Sequence, residues 1–163
     1  MANLTSTQQG TPGSINEGAN FKREQVISWE DIDAIGTFAD NDTATFTIPV
    51  KAGEEIVRAG VKLVTAFDDS GGGDELNVEV GDGSDANGYI TTAALHTDQT
   101  EITWVSDTGA YIVGGSGARG KLYVADDTID ILITPNVSTG TDYSLNELTA
   151  GKFVVTVYGV SYV

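Results

Sequence analysis

Apolar residues in this chain recur at every second position in most of the hydrophobic segments after residue 24. In TATFTIP, Ala44, Phe46 and Ile48 share one face, while Thr43, Thr45 and Thr47 share the other. ELNVEV alternates Leu76, Val78 and Val80 with Asn77 and Glu79, and TIDILIT alternates Ile129, Ile131 and Ile133 with Asp130 and Leu132. KLYVA repeats the pattern with Leu122 and Val124. Side chains of an extended chain point to opposite sides in turn, so a spacing of two predicts half-buried strands. EEIVRAGVKLVTAF sets Val57, Ala59, Val61, Leu63 and Phe67 on one face, with Arg58 and Lys62 opposite. The closing KFVVTVYGVSYV is apolar on both faces, as expected of a strand central to the sheet or covered by a neighbour.

QVISW and AYIV, residues 110 to 113, bring the number of strands to about eight. Helix signals are few. Ser144-Leu145-Asn146-Glu147 has the spacing of a capping box and Gly151 that of a helix stop, so a single turn is expected there. GYITTAALHT predicts a second short helix. The fold class that follows is all-β: a jelly-roll-type β-sandwich of about eight antiparallel strands. At 163 residues the chain can bury roughly 70% of its unfolded surface in a single core.

Residues 1–24 differ from the rest. Met1 to Asn20 is small and polar, with Leu4 and Ile15 its only sizeable apolar side chains. Such a stretch cannot offset its own ordering entropy. It is read as an extended N-terminal arm preceding a domain at 25–163, with Leu4, Ile15 and Phe21 as anchors for a partner.

Eight basic against 24 acidic residues give a formal charge of −16. A surface of that sign repels phosphate backbones and anionic lipid, so neither nucleic acid nor membrane is expected as a partner. There is no cysteine, which excludes disulfides and thiolate chemistry. The N-terminus has no basic and apolar regions of a secretory signal, so no secretory route is expected.

GGSGARGKL, residues 114–122, satisfies two phosphate-binding spacings: Gly115, Gly117 and Gly120 fit G-x-G-x-x-G, while Gly115, Gly120 and Lys121 fit G-x-x-x-x-G-K. Both motifs need a helix after the glycines, because its first N–H groups hold the phosphate. Here a strand pattern follows, and Leu122 stands where a magnesium-binding hydroxyl belongs, so the segment reads as a loop. GDGSDANGYI offers Asp82, Ser84, Asp85 and Asn87 as oxygen donors. Ala86 and Ala93 then fall at two ligand positions of the calcium-loop order, so a plain acidic turn is expected. His96, the single histidine, lacks the context of a catalytic triad. Trp29 and Trp104 read as core aromatics, with a sugar-binding face as the alternative. No catalytic residue, metal or cofactor is expected.

AGVKLVTAFDDSGGGDELNVEVGDGSDANGYITTAAL, residues 59–95, resembles small virion proteins of tailed bacteriophages. An apolar strand ending in T-A-F, a loop, an alternating strand and G-D-G-S-D-x-x-G-[YF] carry the likeness. ELTAGKFVVTVYGVSYV, residues 147–163, is similar to the strand that closes many such domains. The resemblance implies a capsid decoration or cement protein: a jelly roll on the outer surface of the head, bound to the major capsid protein, as a homo-oligomer with a trimer favoured. A head-fibre or tail component, a carbohydrate-binding or adhesin-like module and a glycan-degrading enzyme are the alternatives.

Overall fold

The computed structural model describes residues 19–69, 75–96, 104–106, 108–113, 120–136 and 144–162. Its strands are β1 (Ala19–Ser28), β2 (Ala44–Val50), β3 (Glu54–Asp69), β4 (Glu75–Asp82), β5 (Asp85–His96), β6 (Trp104–Ser106), β7 (Lys121–Leu122), β8 (Asp127–Asn136) and β9 (Leu148–Ser161). Two short helices, α1 (Trp29–Asp33) and α2 (Ala110–Val113), and a 3₁₀ turn, Leu145–Glu147, complete the described elements. None of the described helices is long and apolar enough to cross a membrane.

The strands form two antiparallel sheets, ordered β1-β9-β3-β6 and β2-β8-β4-β5, with β7 added to β3. Apart from β7 the pairing is nested: β1 with β9, β2 with β8, β3 with β6 and β4 with β5. That is a long antiparallel ribbon rolled across two sheets, the jelly-roll arrangement. Between the sheets lies one core, with Ile27, Ile56, Val61, Phe67 and Phe153 from one side and Leu76, Val78, Ile90, Ile129 and Ile131 from the other.

The regular strands keep the predicted faces: Leu76, Val78 and Val80 are buried, as are Ile129, Ile131 and Ile133. β9 pairs with β1 and β3; one of its faces enters the core through Phe153, Val155 and Val157, and the other, with Val154, Tyr158 and Val160, is only partly buried. Five details differ. Residues 19–24, expected as the end of the arm, pair with Thr156–Ser161 of β9 and are part of the sheet. A register shift between Ile56 and Arg58 changes the phase of β3, so Ile56 is buried in place of Val57. GYITTAALH lies in β5, not in a helix, and Thr97 is outside the described residues; a shift opposite Val78 and Val80 moves its buried set from Ile90 to Ala93 and Leu95, which imitates helical spacing. AYIV is α2, not a strand. In KLYVA the faces are reversed: Leu122 and Val124 are exposed, and Tyr123 is buried.

Caps appear in one expected and one unexpected place. Ser144 accepts from Asn146 N and starts the 3₁₀ turn, while Gly151 lies inside β9 and stops nothing. The reciprocal capping box is at Ser28 and Asp31, where QVISW leaves the strand and Trp29 opens α1.

Candidate functional site

The lysine of the glycine-rich segment and the first aspartate of the acidic turn meet in space. Asp82 ends β4 and its side chain is 0% exposed. Its Oδ2 accepts from Lys121 Nζ, and from the Tyr123 hydroxyl at 2.8 Å. Its Oδ1 accepts from the Tyr111 hydroxyl at 2.9 Å, from Ser84 N at 2.9 Å and from Asp85 N at 3.2 Å. The Tyr123 hydroxyl also lies 2.9 Å from that of Tyr89. Lys121 Nζ stands over the rings of Tyr111 (4.6 Å) and Tyr123 (5.2 Å), adding cation–π attraction to the ion pair.

The local folding explains this convergence. Ser84 N and Asp85 N bend back onto Asp82 in a tight Asx turn, which joins β4 to β5. Gly88 gives Tyr111 room, since a Cβ there would lie 2.2 Å from its ring. Tyr111 therefore packs edge-on against Tyr89, centroids 5.1 Å apart, and one turn of α2 aims its hydroxyl at Asp82. Tyr123 N donates to Glu54 O, and Gly53 N to Tyr123 O, so the β2–β3 turn is tied in too. Three connections are braced at one end of the sandwich.

Burial would raise the Asp82 carboxyl, but the bonds from Lys121, Ser84 N, Tyr123 and Tyr111 outweigh it and hold it below its ordinary range. Burial raises both Tyr89 and Tyr123 far above the usual phenol value. Lys121 is raised as well: burial opposes its charge, and Asp82 more than compensates. Asp82 is thus anionic, Lys121 cationic and the phenols neutral at ordinary pH, with no group placed to exchange protons near neutrality. A carboxylate has about four lone-pair sites. Five donors fill those of Asp82, and no oxygen is left for a cation. Among the described residues no group of three or more His, Asp or Glu side chains is placed to hold a metal.

A carboxyl whose pKa is lower in the folded state contributes stability above its unfolded pKa, and that stability is lost as pH falls toward the native value. The stability gap between wild type and Asp82→Asn is therefore expected to hold from pH 7 to about 5 and to shrink below about pH 4. Urea unfolding at stepped pH measures it; a gap unchanged down to about pH 2 would contradict the depressed pKa.

A second ion pair fastens the edge strand. Arg23 of β1 grips the buried Glu54 with both terminal nitrogens, at 2.5 and 2.7 Å, and donates to Pro49 O at 2.8 Å. Phe21 lies beneath the same guanidinium, 4.4 Å from centroid to Cζ, and packs on the core. Of the three expected anchors, Phe21 is thus packed, partly buried, against the sandwich core; Leu4 and Ile15 lie outside the described residues.

Gly120 and Lys121 lead into β7, not into a helix, and Lys121 is bound to Asp82, so the phosphate-loop geometry is missing; Gly115 and Gly117 lie outside the described residues. Trp29 opens α1 and is partly buried against the core. Trp104 pairs with Lys62, and His96 with Glu75, at strand positions. Sequence reasoning missed the polar cluster as a unit. The sequence carried no signal for it: the alternation of KLYVA points Leu122 and Val124 inward, and only the structure shows Tyr123 there.

The fold defines the chain as a two-sheet jelly roll, and the polar cluster as a brace at one end of it. The same fold is found in a chain of the cyanophage Pam1 capsid asymmetric unit, with TM-score 0.57 and 14% identity, over 98% of this chain and 97% of that one. A chain from the disulfide-linked pili of Bacillus endospore appendages aligns over 91% of this chain and 95% of its own, with TM-score 0.44 and 13% identity. No family model matches the chain, and no curated protein matches it. At these identities the comparisons establish the fold alone.

Proposed function

We propose that this chain is a non-enzymatic structural protein of a bacteriophage virion, one that decorates and stabilises the outside of the capsid. The likeness to a chain of a phage capsid, over nearly the full length of each, is the observation that carries the reading. The filled carboxylate and neutral phenols support it, because the most elaborate side-chain cluster described is built for rigidity. The charge of −16 suits the outer surface better than a lumen packed with DNA. In this reading the chain assembles in the host cytoplasm, binds the major capsid protein, and contacts neither nucleic acid nor membrane. Mass spectrometry of virions from the phage that encodes it is expected to find the chain at a copy number comparable to the capsid protein. Absence from purified virions would overturn the proposal.

Several copies are expected to meet as a trimer at a local three-fold position. β1 and β2 are edge strands, and closed symmetry covers edges that would otherwise template aggregation. Image reconstruction of the head tests this; isolated monomers on the shell would contradict it.

A further inference from the structure

The basic residues are sorted by place. Residues directly opposite on neighbouring strands share a face. Lys22 lies opposite Tyr158, which lies opposite Arg58; Val26 lies opposite Val154, which lies opposite Lys62. Lys152, opposite Ser28 and Thr65, extends the same outward face. Lys22, Arg58, Lys62 and Lys152 are all exposed, and they are four of the seven basic residues in the described regions. The other three are ion-paired off this face: Arg23 to Glu54, Lys51 to Asp126 and Lys121 to Asp82; on the face itself Lys22 pairs with Glu24 at 2.6 Å. Apolar surface lies between the four cations: Val26 is 51% and Val64 46% exposed. A cleft of about 360 Å³ runs there between Lys22 and Lys62, floored by Val64 and Val154, with Glu24 and Tyr158 also lining it. An apolar centre with a charged rim is the build of a protein-contact surface.

The outward face of the other sheet is the opposite. Thr47 faces Asp130, and Thr45 faces Leu132, which faces Glu79. No lysine or arginine points outward from β2, β8, β4 or β5 among the described residues.

We propose that the outward face of β1-β9-β3 is the seat of the domain on the capsid, and that it docks on a carboxylate-rich protein surface of the shell. The proposal rests on the virion reading above and names the contact that reading requires. Charge complementarity selects the partner, since in a chain of net −16 this face carries four exposed cations, with Glu24 the one carboxylate lining its cleft. A second copy of the chain is disfavoured as occupant. Its acidic sheet lies on the far side of the sandwich, and stacking opposite faces produces an open filament rather than a closed assembly. Chain continuity points the same way: the 18 residues that precede Ala19 join the sandwich at β1, the edge of this sheet.

The test uses the full chain and heads of the encoding phage assembled without it. Lys62→Glu/Lys152→Glu is expected to keep the wild-type melting temperature and to lower affinity for these heads roughly ten-fold or more, while Glu79→Lys leaves affinity unchanged. Carbodiimide coupling on whole virions is expected to join Lys62 or Lys152 to a carboxylate of the capsid protein. If wild type binds the heads and the double variant binds equally well, the docking face is wrong and the virion reading survives. Coupling of these lysines to a second copy of the chain, or retention of duplex DNA by the free protein, overturns the proposal in favour of those occupants. If wild type itself does not bind, the virion reading falls, and this contact with it.

Discussion

Lys121→Met is expected to destabilise the domain by about 3–5 kcal/mol, the cost of leaving a buried charge without its partner. For a chain of this length that lowers the melting temperature by about 6–20 °C. The size of the effect comes from Asp82, which would remain anionic, with no exposed side-chain surface and only the tyrosine hydroxyls and two backbone N–H groups around it. Methionine is unbranched and similar in length to lysine, so the loss reports mainly on the charge, including its attraction to the Tyr111 and Tyr123 rings. Adding Asp82→Asn to Lys121→Met should restore part of the stability, because the orphaned charge is then gone. Tyr123→Phe should cost less, about 1–3 kcal/mol, since it removes one donor from Asp82 and the hydroxyl partner of Tyr89. Calorimetry of the single and double variants measures all of these. A loss below about 1 kcal/mol for Lys121→Met would mean that the pair behaves like an exposed one, and the rigid-end argument would collapse.

The same cluster marks where sequence reasoning stops. Strands with unbroken alternation, such as β2 and β8, were legible because each residue's face follows from its parity alone. β3 and β5 were not fully legible, because a register shift inserts a residue and reverses parity midway, and no composition signal marks the shift in IVRAG or YITTA. AYIV failed for a different reason. Its four apolar residues suit a strand, but the anchoring of Tyr111 on Asp82 and the Gly109 N bond to Tyr89 O close them into one helical turn. Tertiary contacts overrode a weak local preference. The polar cluster combines Asp82, Tyr89, Tyr111, Lys121 and Tyr123, residues from three separate connections, and each was read within its own local motif. Only the rolled topology places them together. The sorting of cations onto one sheet was hidden likewise, since Lys22, Arg58, Lys62 and Lys152 become neighbours only through the pairing of β1, β9 and β3.

Deleting residues 2–18 is expected to leave the sandwich folded and to weaken attachment to undecorated heads by roughly 100-fold or more, a loss of about 2.7 kcal/mol. The cut has to stop before Ala19. Residues 19–28 form the edge strand β1, and a longer deletion would remove Phe21 from the core and Arg23 from Glu54, so that unfolding would be mistaken for lost binding. Within the deleted stretch, Leu4 and Ile15 are the sizeable apolar side chains, spaced eleven residues apart in a polar sequence. Two such side chains, at about 1.5–3 kcal/mol each when fully buried, cannot offset an ordering cost of roughly 1 kcal/mol or more for each of the other residues. On a capsid lattice the balance changes, because a partner can supply backbone hydrogen bonds along the whole stretch. Seventeen or eighteen extended residues reach about 60 Å, far enough to cross to a neighbouring subunit. Leu4→Ser/Ile15→Ser tests the anchors without shortening the chain, and should produce a large share of the same loss. Sedimentation of each variant with the heads, beside a melting curve of the free protein, separates attachment from folding. If the shortened chain melts like wild type and binds the heads with undiminished affinity, then residues 2–18 carry no anchoring role, and the whole contact must be sought on the sandwich itself.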